Sequence, residues 1–205
     1  MTMQKEFYPF PDKESSFQIL QRDPCYSKIP PQDVPVAFER AWNTGLQEAD
    51  RFLASLTGGE YFMTEALSEL GISVQTFDRD YVVGNTRYFC EYLSEKNLVY
   101  VYRTAITVWA ETNGFSYRDS LNLILAHEFF HHLEWHVIGL VSKQVQVPML
   151  RLGRFSFGKT GIAALSEVAA NAFANRVYQV GLQCGLFEVH PSDHADVSCI
   201  AENEV

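Results

Sequence analysis

The stretch from Tyr117 to Val141 constrains this chain more than any other. Leu121, Leu125, Phe129 and Leu133 recur every fourth position, and Leu123, Phe130 and Val137 every seventh. This is helical spacing, and it predicts one helix from about Tyr117 to Val141. Apolar residues on more than one face place that helix inside a core. The polar exceptions are mainly His127, Glu128, His131, His132 and Glu134. Buried imidazoles and carboxylates are costly unless they have partners, so the fold must supply some.

His127-Glu128-x-x-His131 is the informative part. Residues four apart share a helix face, with roughly 5–6 Å between Cβ atoms, so two imidazoles can converge on one metal ion. Glu128 projects beside them, where it can hold a water and take its proton. The pattern is short and recurs by chance, so it needs a third ligand. Catalytic zinc sites have three protein ligands and one open position. A metzincin would need Gly at 134 and His at 137; Glu134 and Val137 stand there instead, and Glu134 is expected to play no part in holding a metal.

The third ligand is expected downstream, in Ser166-Glu167-Val168-Ala169-Ala170-Asn171-Ala172-Phe173-Ala174. Glu167 and Asn171 are four apart on an Ala-rich segment. Small side chains let two helices approach closely, as a metal bond across them requires. Glu167 is read as the ligand, and Asn171 as the acceptor that fixes an imidazole tautomer. Two imidazoles and a carboxylate suit Zn2+. Tyr178, 11 residues after Glu167 on the same face, is a candidate transition-state donor. His132 and His136 turn away from the 127/131 face and are read as packing residues. His190 and His194, around Pro191-Ser192-Asp193, are a further source of a ligand or donor.

Six of the eight prolines lie at or before position 35. Residues 1–34 therefore read as an extended arm, packed through Phe7, Tyr8, Phe10 and Phe17, ahead of a single domain over 35–205. A helix is expected from Asp33, a good N-cap, to Gly58-Gly59. A second runs from about Glu60 to Leu70, ended by Gly71. From about Ile72 to Ala110 the pattern turns aromatic and β-branched, with strands at Tyr81–Val83, Tyr88–Leu93 and Leu98–Tyr102 and a turn at Ser94–Asn97. A loop-rich stretch with Pro148, Gly153, Gly158 and Gly161 precedes a helix over about Ile162 to Val180, and the tail from Gly185 reads as irregular. The fold class is α+β, mainly helical, with a small mixed β-sheet flanking the HExxH helix.

The balance of 16 basic against 25 acidic residues, net −9, argues against a nucleic-acid partner. Lys143 to Lys159 is too sparsely basic to change that. The four cysteines form no CxxC pair and no zinc-finger spacing, so no disulfide framework is expected. No apolar run approaches the roughly 20 residues that span a bilayer, and no signal peptide is visible. The expectation is a soluble, cytoplasmic protein with no membrane partner.

HExxH followed by a Glu on a second helix resembles the gluzincin pattern of thermolysin-like peptidases. The closer resemblance is to the ImmA/IrrE family of small metallopeptidases. There an L-A-H-E-L-G-H helix precedes a segment like E-x-E-A-N-x-F-A; this chain has Leu125-Ala126-His127-Glu128-Phe129-Phe130-His131, then Glu167 to Ala174. Phe130 stands where that family has Gly, and Ala169 where it has a second Glu. The 36 residues from His131 to Glu167 (167 − 131) imply an inserted loop or hairpin around Val145 to Phe157. The likeness covers roughly residues 97–178. It implies a zincin-like fold and a zinc-dependent peptidase that hydrolyses a peptide bond with a metal-activated water. It implies a protein or peptide substrate, such as a transcriptional repressor, and makes Tyr100-Val101-Tyr102 the edge strand that pairs with it. The alternative is a zincin-like protein-binding module with a metal site but little or no catalysis. Glu128 argues against that, since a purely structural site needs no general base.

Overall fold

The structure, a computed structural model, describes residues 10–56, 63–84, 86–152, 155–185 and 187. The first element is a helix, α1 (Lys13–Arg22), so residues 13–22 are not the extended arm that the prolines imply. Pro9 and Pro11 precede this helix and Pro24 follows it; they bracket it rather than interrupt it, which is where proline is tolerated. Asp12 caps it, accepting from the Ser15 N–H at 2.8 Å, and Leu20 is fully buried. Phe7 and Tyr8 lie outside the described residues.

Helix α2 (Val34–Ser55) starts after Asp33, with Pro35 in its first turn. The Gly58-Gly59 stop lies outside the described residues. Helix α3 (Met63–Glu69) follows. A three-stranded sheet comes next, in the order β1 (Ser73–Phe77), β5 (Leu98–Tyr102), β4 (Cys90–Leu93). β1 runs parallel to β5 and β4 antiparallel to it. Between them, β2 (Val82–Val83) and β3 (Thr86–Arg87) form a small ribbon. Both sides of β5 are therefore taken. Tyr100–Tyr102 is the central strand and not an edge, and Val99 and Val101 are fully buried.

Residues 103–113 correct a second expectation. Thr104, Ile106, Thr107 and Val108 look strand-like, yet the segment is a helix, α4 (Arg103–Asn113). Ala105, Ile106, Trp109 and Ala110 are buried, and that i, i+1, i+4, i+5 set is one helical face. Gly114 ends it at φ 70°, a conformation that glycine adopts without strain.

Helix α5 (Tyr117–Leu133) is capped by Ser116, whose hydroxyl accepts from the Asp119 N–H. At Glu134 it widens into one π turn, Glu134–Ile138, and stops at Gly139. A β-hairpin, β6 (Gln146–Leu152) and β7 (Phe155–Gly161), fills the expected insertion. It leads into α6 (Ala163–Gln183). Ala164, Ala169, Ala170, Ala172 and Ala174 of α6 are all buried. Gly45 of α2 shows how tightly the helices meet: a Cβ there would lie 2.0 Å from the Ala169 carbonyl oxygen. The chain is thus an α+β protein, mostly helical with a small mixed sheet. No described helix is long and apolar enough to cross a membrane. Cys25, Cys90 and Cys184 are free thiols.

Candidate metal centre

α5 places His127 and His131 on one face, and the second turn of α6 brings Glu167 against them. One ligand atom from each of the three lies within 4.8 Å of the other two. His127 Nε2 is 3.3 Å from Glu167 Oε2, and His131 Nε2 is 3.5 Å from Glu167 Oε1. Ligand atoms about 2.1 Å from a tetrahedral zinc ion are about 3.4 Å apart along each edge. Each Nε2 lies at about that spacing from its own Glu167 oxygen, and with one atom of each residue within 4.8 Å of the others the group could hold a single ion. Both imidazoles offer Nε2. Their side chains are 12 % and 19 % exposed, and that of Glu167 is 31 % exposed, so one side of the group is open to solvent.

The charges of the three are interdependent. Burial pushes the Glu167 carboxyl up, but His131 and the hydrogen bond from His127 outweigh it and hold it at about 2. Burial pulls the His131 imidazole down, yet Glu167, Glu134 and Glu128 together lift it to about 9. His127 is also raised, Glu167 overcoming burial. Glu128 is raised: burial exceeds the lowering by His131 and His127, and Glu167 adds to the rise. The Tyr92 backbone N–H acts the other way on Glu128.

Glu134, assigned no role from the sequence, holds His131. Its Oε2 lies 2.9 Å from His131 Nδ1. Its Oε1 accepts from the Val141 N–H at 2.8 Å and from the Ser166 hydroxyl at 2.7 Å. Ser166 in turn accepts from the Ser142 N–H. Glu134 is only 2 % exposed. This carboxylate ties the end of α5, the loop after it and the residue beside Glu167 into one unit, and sets the ring orientation of His131. Asn171, expected in such a role, is buried on α6 but makes no hydrogen bond to either imidazole. The signal for Glu134 was its position three residues after His131, on the same side of the helix.

Tyr178, the candidate donor, is buried, with its ring edge-on to Phe115 at 5.7 Å and beside Phe187 at 5.6 Å. His132 and His136 both meet the Tyr92 hydroxyl, at 2.7 and 3.0 Å. That hydroxyl also donates to Asn97 Oδ1 at 3.2 Å. They pin strand β4 to α5, a role consistent with packing. His190 and His194 lie outside the described residues.

No family model, no curated protein and no solved structure matches this chain.

Proposed function

We propose that this protein is a zinc-dependent peptidase with a zincin-like fold of the gluzincin type. The observation that carries the reading is an open three-ligand group with a further carboxylate beside it. Structural zinc sites close themselves with four protein ligands; among the described residues His127, His131 and Glu167 form a group of three. Glu128 is not one of them, yet it feels the charges of all three. Zinc bound there would polarise a carbonyl and acidify a water. Glu128 would take the proton of that water and pass it to the leaving amine. A carboxyl with a raised pKa is better suited to both transfers near neutral pH than an ordinary one.

The sheet supports an extended peptide as substrate. The Tyr102 N–H donates to the Phe89 carbonyl, so by antiparallel alternation the N–H groups of Cys90 and Tyr92 point away from β5. That outer edge of β4 faces Glu128 through the Tyr92 N–H. A peptide added along it would lie beside Glu128.

The test is a peptide-library screen with the wild type and Glu128→Gln, each assayed for zinc content. The Gln variant should keep about one zinc and lose cleavage by roughly 10²–10⁴-fold, as when a general base is removed. Equal cleavage by both proteins would contradict the assignment. Zinc retention by the wild type with no cleavage of any peptide would favour the binding-module reading.

A further inference from the structure

The two histidines of the metal centre are held by different means. His131 is oriented through Nδ1 by Glu134. His127 Nδ1 is buried with no hydrogen-bond partner. His127 Nε2 meets Glu167 at 3.3 Å, and on the Nδ1 side the ring is held by packing alone. The ring lies nearly parallel to that of Phe10, 14° between planes and 5.3 Å between centroids, with His131 edge-on at 5.2 Å. Phe10 comes from the far end of the chain and is backed by Trp109 at 6.2 Å.

Phe10 is itself fastened by a buried side chain. Asn175, 2 % exposed, accepts from the Phe10 N–H at 3.2 Å. Its amide nitrogen donates to the Phe10 and Pro11 carbonyls at 3.4 and 3.0 Å. Asn175 stands two turns beyond Glu167 on α6. The helix that supplies the third ligand thus also grips the backbone of the segment whose ring steadies the first.

We infer that Phe10 is a positioning residue for His127, and that docking of the N-terminal segment on Asn175 and metal binding are coupled. The inference rests on the metal-centre reading above. Coupling of this kind is reciprocal: whatever factor the docked segment contributes to metal affinity, bound metal returns to docking. The site would then be complete only with the segment in place, and removal of the segment would lower metal affinity without touching a ligand.

The experiment uses the full chain and zinc alone. Zinc affinity is measured by chelator competition for the wild type, Phe10→Ala, Phe10→Tyr and Asn175→Ala. Aromatic pairing of this kind is worth about threefold to tenfold in an equilibrium constant, and Phe10→Ala should weaken zinc by that much. Asn175→Ala should weaken it by up to the same factor, and Phe10→Tyr, which keeps the ring, should stay within about twofold of the wild type. Hydrogen exchange of the Phe10 amide in the wild type supplies the readout that a merely structural role would not move. Zinc should slow it by the factor that Phe10→Ala costs in affinity. This arm needs no variant to fold. A wild type that binds zinc, with unchanged affinity in folded Phe10→Ala and no zinc effect on the Phe10 amide, overturns the coupling and leaves the metal centre standing. A wild type that binds no zinc overturns both.

Discussion

Glu134 offers the sharpest test of how the centre is built, because its two substitutions should separate stability from metal binding. Glu134→Ala removes the acceptor for the Val141 N–H, the Ser166 hydroxyl and His131 Nδ1. Each buried donor left unsatisfied costs about 1–3 kcal/mol, so with three of them the metal-free variant should lose at least about 3 kcal/mol of unfolding free energy. Glu134→Gln behaves differently. Its Oε1 can still accept from Val141 and Ser166, so most of that stability should remain. Its amide nitrogen then faces His131 Nδ1 and can only donate. The imidazole must give up its Nδ1 proton to accept this bond, which leaves its one remaining proton on Nε2, the atom that faces Glu167. The Gln variant should therefore bind zinc about 10–100-fold more weakly, the usual effect of losing a partner behind a ligand, while unfolding within about 2 kcal/mol of the wild type. Urea denaturation of the metal-free proteins gives the first quantity and chelator competition the second. Wild-type zinc affinity in Glu134→Gln would refute the claim that Glu134 sets the tautomer of His131.

Two further outcomes follow from the same structure. In the metal-free protein the raised His131 stabilises the fold fully below its ordinary pKa of about 6.5, and that contribution is lost as pH rises toward about 9; Glu167, depressed to about 2, contributes above about 4.5 and its contribution is lost as pH falls toward 2. Urea midpoints should then be highest between about pH 4.5 and 6.5, and zinc uptake at pH 7 should release protons, read by calorimetry in buffers of different ionisation enthalpy; a flat profile without proton release would contradict this. Gly45→Ala should lower the melting temperature clearly, because its Cβ meets the Ala169 carbonyl at 2.0 Å and overpacking of this kind costs about 1–3 kcal/mol or more; an unchanged melting temperature would mean that α2 and α6 can part at little cost.

The ligand group was legible in the sequence because its signals are local. His127 and His131 are set by spacing along one helix, and the Ala-rich surroundings of Glu167 marked a helix built for close approach. The hairpin was legible as a surplus of chain between them. Glu134 offered one local signal, its place three residues after His131, but its further task depends on the loop at Val141 and on Ser166 of another helix, 32 residues on. Asn175 carried no signal, because its partners are the Phe10 and Pro11 backbone at the other end of the sequence. The rank of β5 within the sheet was misjudged because strand order is a long-range property, and β1, which covers its second side, is mostly exposed and weakly patterned. In α1 and α4 local composition pointed the wrong way. Prolines bracketed one helix, and β-branched residues on the outer face of the other hid the buried stripe beneath them.

The ribbon β6–β7 has a consequence for how chains of this design can diverge. Its ends are paired at Gln146 and Gly161, so the path from His131 to Glu167 that must be closed is 15 residues before the ribbon (146 − 131) and 6 after it (167 − 161). The ribbon itself is outside that circuit. Even counted fully, doubling a loop costs only about 0.6 kcal/mol of closure entropy. The distance in sequence between the two halves of the centre is therefore almost unconstrained energetically, while the short segments on either side of the ribbon are pinned by Glu134, Ser142 and Ser166. Descendants of a common ancestor could lengthen or lose the ribbon and keep the same three ligands in place. Kinship among such chains would be written in the two helical segments and in the carboxylate behind His131, and a search that fixes the gap between them would pass its own relatives by.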